Sequence, residues 1–135
     1  MIRQRLGKDL LFFDGGMGTL LQEKGLAPGE LPETWNLTHS EEIYKIHRQY
    51  IEAGSDIILT NTFGANALKF HDDSCSLEEI IKAAVSHVKK AEREALLQTG
   101  DERKIYTALD VGPTGKLLKP MGDLEFETAY EAFKL

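Results

Sequence analysis

The stretch IEAGSDIILTNTFGAN, residues 51–66, runs from the end of a predicted helix through a short apolar strand into a polar turn. Residues 56–60 predict a strand, because a nearly continuous apolar run is typical of parallel strands that are buried on both faces. Gly54 lies where a helix needs a left-handed C-terminal cap. The order helix, glycine, strand and polar turn is typical of a βα unit and indicates the α/β class.

The same order recurs before and after this stretch. The other predicted elements are strands at residues 10–13 and 104–109 and helices at residues 39–53, at 77–98, and from about 125 to the last residue. Thr38 and Glu41 have the spacing of a capping box at a helix start. Ser76 and Glu79 have the same spacing before the longer helix. Three βα units in succession predict parallel strands that are covered by helices.

The composition excludes several classes of protein. The chain has 135 residues, of which 41% are hydrophobic, so it can form one domain with a core of ordinary size. The net charge is −6 and the basic residues are scattered, which argues against a nucleic-acid partner. No apolar run approaches the roughly 20 residues that a membrane span requires. Cys75 is the single cysteine, so no intramolecular disulfide can form. We therefore expect a cytoplasmic protein that binds a small molecule and no membrane.

Polar, glycine-containing turns follow all three predicted strands. They are DGGMGT at residues 14–19, NTFGAN at 61–66 and DVGPTG at 110–115. Because the carboxyl ends of parallel strands meet on one face, these turns predict one shared ligand site. Asp14 offers a negative charge, and Thr60, Asn61 and Thr62 offer neutral hydrogen-bonding groups, which suits a small zwitterion. Tight turns favour the same residue types, so a purely structural role for Asp14 and the glycines stays open.

Two other kinds of site have weaker support. The sequence DGGMGT is not the dinucleotide pattern G-x-G-x-x-G, and no Gly-Lys-Ser/Thr follows it, so a small nucleotide-binding α/β domain is a minor alternative. His71 and Cys75 would lie on one face of a helix, but two ligands do not make a metal site. His47 and His87 fall inside predicted helices and indicate packing or exposed positions rather than catalysis.

Three segments, taken in order, resemble one protein family. They are DGGMGTLLQ at residues 14–22, WNLTHSEEIYKIHRQYIEAGSDIILTNTFGAN at 35–66 and DVGPTGKLLKPMGDLEFETAYEAF at 110–133. Together they are similar to homocysteine S-methyltransferases, most of all to the N-terminal homocysteine-binding module of the cobalamin-dependent methionine synthases. The resemblance implies a partial (β/α)₈ TIM barrel. Residues 1–135 would be the N-terminal part of that domain, with its first three βα units, and incomplete at the C-terminus.

The resemblance also implies a substrate and a reaction. The substrate would be L-homocysteine, whose thiol receives a methyl group to give methionine, and Asp14 and Gly15 would hold its amino-acid end. The implied substrate-binding residues are Asp14, Gly15, Thr60, Asn61, Phe63 and Asn66. In the family, zinc binds the homocysteine thiol and, in this branch, cobalamin carries the methyl group.

The family supplies three cysteine thiolates to zinc from later strands of the barrel, and this sequence ends before those strands. The resemblance therefore implies that this chain has no catalytic or metal-binding residue of its own, holds neither zinc nor cobalamin, and is inactive alone. Its expected partner is the missing half of the barrel or a second copy of itself. The alternative is a non-enzymatic half-barrel that acts as a binding or assembly module and self-associates.

Overall fold

A computed structural model describes residues 2–72, 74–100 and 102–134. Within these ranges the α-helices are α1 (Met17–Glu23), α2 (Trp35–Thr38), α3 (Ser40–Glu52), α4 (Leu77–Thr99) and α5 (Phe126–Ala132). The strands are β1 (Ile57–Leu59) and β2 (Tyr106–Ala108), and short 3₁₀ helices span Ile2–Gln4 and Pro32–Thr34. The α/β class predicted from the sequence is confirmed. The partial (β/α)₈ barrel stays a prediction.

β1 is the central strand of a small parallel sheet. It pairs in parallel with β2, in a register that places Ile58 opposite Thr107. On its other side, Phe13 forms a single parallel bridge with Ile57. Backbone hydrogen bonds from Ile57 N to Phe12 O and from Asp14 N to Ile57 O, both 3.0 Å, extend that bridge. The three predicted strands therefore lie side by side, but the first is reduced to a bridge.

The prediction that all three strands are buried on both faces holds only for β1. Leu10, Phe12 and Phe13 are 76%, 55% and 58% exposed. Residues 10–13 pair with β1 on one side only, and in the described part of the chain their side chains are not covered by a helix. The residues of β2 are half-buried. One-sided pairing and missing cover explain why these apolar runs remain open to solvent.

The longest helix, α4, agrees closely with its prediction. It begins with a capping box, in which Ser76 Oγ accepts from Glu79 N at 3.2 Å and Ser76 N donates to the Glu79 carboxylate at 2.9 Å. It ends one residue later than predicted, and Gly100 follows in the left-handed region at φ 65°. Both ends therefore satisfy backbone groups that a free helix would leave unpaired.

The predicted capping box at Thr38 and Glu41 is wrong. Thr38 belongs to the short helix α2, and its hydroxyl donates back to the carbonyl of Thr34 at 3.2 Å. His39 stands at the N-terminal cap of α3 without a side-chain capping bond. Residues 35–38 form a separate helical turn. The Thr38 hydroxyl bonds within that turn and is therefore not available to cap α3. At the other end of α3, Gly54 has φ 110°, in the left-handed region that was predicted.

The last helix is shorter than predicted. α5 ends at Ala132, and Phe133 N donates to Tyr130 O at 3.2 Å, which is the tighter i to i−3 pattern of a closing turn. Phe133 and Lys134, where the helix was predicted to continue, are not helical, and Leu135 lies outside the described residues. Helices α1 and α2 are additions that the periodicity did not predict, because seven and four residues are too few for an apolar stripe to show.

Much of the core in the described part of the chain lies in two clusters that meet at Tyr50. The larger lies between α3, the sheet and α4, and contains Tyr44, Ile51, Ile58, Val88, Ala91, Ala95 and Ile105. The smaller lies between α1, α2 and α3, and contains Leu21, Leu26, Trp35, Ile43 and Ile46. Alanines on α4 bring its axis close to α3, and burial of these apolar groups drives the packing. In the described ranges no helix is long and apolar enough to cross a membrane.

Candidate functional site

A cavity of about 470 Å³ lies at the carboxyl ends of the sheet, where the turns after Phe13, β1 and β2 converge. Five of the six predicted substrate-binding residues lie in its wall: Asp14, Gly15, Thr60, Asn61 and Phe63. The remaining lining residues are Gly16, Met17, Gly18, Glu30, Leu31, Pro32, Glu33, Leu59, Thr62, Lys69 and Asp110. The shared site that the three turns predicted is therefore present as a geometric feature.

Asp14 has one oxygen bonded and one oxygen free. Its Oδ2 accepts from Leu59 N at 3.0 Å. Its Oδ1 is buried and has no hydrogen-bond partner among the described residues. Burial raises the pKa of Asp14 to about 6; the hydrogen bond from Leu59 opposes this rise and the nearby charge of Asp110 adds to it. A buried carboxylate oxygen without a donor is costly, and a ligand with an N–H group would satisfy it.

Gly15 allows the first turn to approach α3. A Cβ atom on Gly15 would lie 2.7 Å from Tyr50 Oη, which is closer than real Cβ contacts. The Tyr50 hydroxyl donates to Gly16 O at 3.1 Å and so holds the turn against the helix. A side chain at position 15 would therefore displace the Tyr50 ring, so glycine lets the turn and the tyrosine lie this close together.

Thr60 and Thr62 join the second turn to the third. Their hydroxyl oxygens lie 2.7 Å apart, and Thr62 Oγ1 donates to Asp110 O at 2.8 Å. Asp110 N donates to Thr60 Oγ1 at 3.2 Å. Both threonines are buried, and their hydroxyls are used within the protein. Burial also raises the pKa of Asp110. Thr60 thus shapes the cavity by tying two turns together.

Asn61, Phe63 and Asn66 all belong to the second turn, but they differ in burial and in position relative to the cavity. Asn61 is buried and donates through Nδ2 to Pro32 O at 2.7 Å. Phe63 is 50% exposed at the cavity, with Lys69 Nζ 5.1 Å from its ring centroid. Asn66 is not among the lining residues of the cavity. It is buried, and its Oδ1 accepts from Leu68 N at 3.2 Å, so it holds the loop behind the wall.

Two acidic residues of the wall were not singled out in the sequence. Glu33 is only 3% exposed and accepts from Gly64 N. Glu30 accepts from Trp35 Nε1 at 2.7 Å and from Ala27 N at 3.0 Å, and these bonds lower its pKa, the Ala27 bond most. No hydropathy pattern distinguishes a buried glutamate from an exposed one in a loop rich in proline and glycine. The one available signal was Pro32, which favours the first turn of a helix.

The described residues do not fit a zinc ion. Among residues 2–72, 74–100 and 102–134, no three or more His, Cys, Asp or Glu side chains are grouped to hold a metal. Cys75 is a half-buried free thiol, and His71 is exposed. Neither residue is in a helix, so the helical spacing considered for this pair is not realised.

Comparison with known proteins identifies a family for most of the chain. The family model for homocysteine S-methyltransferases matches residues 11–135. Methionine synthase from Mycobacterium leprae (strain TN) is 30% identical over 136 residues, which cover 96% of this chain and 11% of that protein.

Solved structures give the same relationship at the level of the fold. The homocysteine methyltransferase MmuM from Escherichia coli has a TM-score of 0.73 and 23% identity in its metallated form, over 84% of this chain and 42% of that chain. Its oxidized form has a TM-score of 0.71 and 24% identity, over 84% and 41%. This chain thus spans less than half the length of either relative. It belongs to the homocysteine S-methyltransferase family.

Proposed function

We propose that this chain supplies the amino-acid recognition part of a homocysteine S-methyltransferase site, in which the homocysteine thiol receives a methyl group to give methionine. The observation that carries the proposal is Asp14 Oδ1, a buried oxygen in the cavity wall that lacks a donor within the described chain. The ammonium group of an amino acid supplies such a donor together with a compensating charge. Family membership makes L-homocysteine the amino acid of choice.

Five of the six predicted residues have a separate part in this proposal. Asp14 receives the ligand ammonium, and Gly15 lets the backbone come close to it. Thr60 and Asn61 hold the second turn through their bonds to the third turn and to Pro32. Phe63 offers the apolar surface that a thioalkyl chain would contact.

The proposal assigns this chain no metal-dependent step, because its described residues do not fit zinc. We expect residues 1–135 alone to transfer methyl groups at a negligible rate. The rest of a barrel, carried by another polypeptide segment, would supply the thiol-activating group and the methyl donor. An assay that mixes this chain with those missing strands and zinc tests the expectation. Equal activity of the 135-residue chain alone would contradict it.

Calorimetric titration with L-homocysteine tests the recognition itself. The wild-type chain and Asp14→Asn are compared at neutral pH, because asparagine keeps an acceptor for Leu59 N but carries no charge. We expect the substitution to weaken binding at least about tenfold, as for a lost charge-assisted hydrogen bond. The control ligand 4-sulfanylbutanoate lacks the amino group and should not distinguish the two proteins. Equal homocysteine affinity of both proteins, or none in the wild type, would reject the proposal.

A second candidate function is the non-enzymatic half-barrel that self-associates. The observation that favours it is the open sheet: β2 is an outer strand in the described chain, and Leu109 and Val111 after it are 52% and 58% exposed. An uncovered strand edge next to apolar side chains tends to pair with another chain. Light scattering distinguishes the candidates, since a stable dimer without homocysteine affinity would support assembly, and a monomer that binds homocysteine would support recognition.

A further inference from the structure

Residues 32–36 and the turn at residues 61–64 are joined by three hydrogen bonds that involve side chains. Asn61 Nδ2 donates to Pro32 O at 2.7 Å, and Asn36 Nδ2 donates to Asn61 O at 2.8 Å. Gly64 N donates to the carboxylate of Glu33. Asn36, Asn61 and Glu33 are all buried, so water does not compete freely for these bonds.

Glu33 and Gly64 are in close contact. A Cβ atom on Gly64 would lie 2.7 Å from Glu33 Oε1 and 3.1 Å from its Cδ. Glycine therefore lets the backbone amide reach the buried carboxylate of Glu33, which belongs to the 3₁₀ helix Pro32–Thr34. A buried backbone N–H needs an acceptor, and the Glu33 side chain supplies it.

The peptide group between Phe63 and Gly64 is held on both sides. Its N–H donates to Glu33, while its carbonyl oxygen packs against Gly112 of the third turn. The packing is so close that a Cβ atom on Gly112 would lie 2.1 Å from Phe63 O and 2.7 Å from Phe63 Cδ2. The hydrogen bond on one side and the close packing on the other fix the orientation of the peptide group. They therefore also fix the direction of the Phe63 side chain.

We infer that Glu33 is a positioning residue, which fixes Phe63 in the cavity wall by accepting the Gly64 amide. Its carboxylate acts as a hydrogen-bond acceptor and does not serve as a charge for the ligand. The part of this inference that concerns ligand affinity rests on the proposed function, while the hold on the Gly64 amide does not. Neutral glutamine keeps an acceptor oxygen at the same reach, so it should replace Glu33, whereas alanine should not.

The test compares wild type, Glu33→Gln and Glu33→Ala by amide hydrogen exchange, read residue by residue with NMR, and by titration with L-homocysteine. We expect the Gly64 amide to exchange at least about tenfold faster in E33A, and within about threefold of wild type in E33Q. The Val88 amide in the core of α4 serves as the internal reference and should not change. Homocysteine affinity should follow the same order, being retained in E33Q and reduced at least about tenfold in E33A.

Each other outcome has a definite meaning. Loss of homocysteine affinity in E33Q with normal Gly64 exchange would overturn the inference, because the charge would then be what the ligand requires. Unchanged Gly64 exchange in a folded E33A would also overturn it. If E33A does not fold, Glu33→Met takes its place, because it keeps the side-chain length but has no oxygen acceptor: faster Gly64 exchange in this variant supports the hold, and unchanged exchange overturns it. A wild type that binds no homocysteine rejects the proposed function, while the exchange comparison still decides the role of Glu33.

Discussion

The side-chain carboxylate of Asp14 accepts a hydrogen bond from the backbone amide of Leu59 at 3.0 Å, and so joins the first turn of the cavity to the end of β1. The bond occupies one oxygen, while the other is buried without a partner in the described chain. The same side chain thus stabilises the fold with one oxygen and offers the other to a ligand. Substitutions that separate charge from hydrogen bonding distinguish the two roles.

Asp14→Asn should change how the stability of the chain depends on pH. Burial holds the pKa of Asp14 at about 6 in the folded chain, against 3.8 ordinarily. The folded chain binds this proton more tightly than the unfolded chain. The contribution of Asp14 to the free energy of unfolding therefore falls as the pH rises from about 4 to about 6, and is constant above.

Relative to Asp14→Asn, the wild type should lose about 1 kcal/mol over this interval, after allowance for solvent screening of a half-buried carboxyl. Urea unfolding of both proteins between about pH 4 and pH 7.5 measures the difference. A difference that is the same at every pH would show that Asp14 titrates normally.

His47 should make the chain sensitive to mild acid. It lies inside α3, fully buried, and neither ring nitrogen has a hydrogen-bond partner in the described chain. Burial lowers its pKa from 6.5 to about 4, with a smaller contribution from the charge of His87. The unfolded chain binds the proton more tightly, so stability falls as the pH drops from about 7 to 5, by about 2 kcal/mol.

His47→Leu removes this titration and should lose about 2 kcal/mol less than the wild type between pH 7 and pH 5. It should be at least as stable at pH 7, since it replaces an unsatisfied polar group with an apolar one. His71→Gln, at an exposed position, is the matched control and should behave like the wild type. Equal acid sensitivity of all three proteins would contradict the prediction.

Gly112→Ala should damage both the fold and the cavity. The new Cβ atom would lie 2.1 Å from the backbone oxygen of Phe63, so one of the two turns must move. We expect a loss of about 2–3 kcal/mol in the free energy of unfolding, as for an overpacked interior, and weaker homocysteine binding.

Gly18→Ala is the control for Gly112, because a Cβ atom there meets nothing within 4 Å and lies in α1. Its stability should stay within about 0.5 kcal/mol of the wild type, or rise slightly. Urea unfolding of both variants and homocysteine titration of Gly112→Ala provide the measurement. If the two alanine variants proved equally stable, the close approach of the second and third turns would be refuted.

Ser76→Ala should remove the N-terminal cap of α4 and cost about 1 kcal/mol. The Ser76 hydroxyl accepts the Glu79 amide, which would otherwise be left to solvent. Ser86→Ala, at an exposed position of the same helix, leaves the cap intact and should not destabilise the chain. Chemical unfolding followed by far-ultraviolet circular dichroism measures both. A smaller loss at position 76 than at position 86 would contradict the role of the cap.

The parts of the fold that could be predicted are those with a long apolar pattern, or with an apolar pattern whose ends are also marked by capping residues. α4 has an apolar stripe of several turns and marked ends, and β1 is an apolar run that really is buried. The runs at residues 10–13 and 104–109 have the same pattern, yet much of their surface is exposed. An apolar run predicts that a strand favours burial. Whether the strand is buried depends on the strands and helices that pack against it.

The position of the candidate site could be predicted because the carboxyl ends of parallel strands lie at the same edge of a sheet. Asp14, Gly15, Thr60, Asn61 and Phe63 surround one cavity for that reason, and their contact with a ligand is still a prediction. Glu33 could not be found, because its burial depends on a glycine 31 residues later that leaves room for its carboxylate. Such a pairing has no periodicity and leaves no mark on composition.

Tyr50 packs against both core clusters, and its hydroxyl also holds Gly16 in the cavity wall. Most other wall residues lie outside the two clusters, and most core residues lie away from the wall. A lineage that changes its ligand can therefore vary the three turns together while the packed helices stay the same. Position 50 allows no such independence: a replacement there changes folding and recognition together, so selection for a new ligand should leave this tyrosine in place the longest.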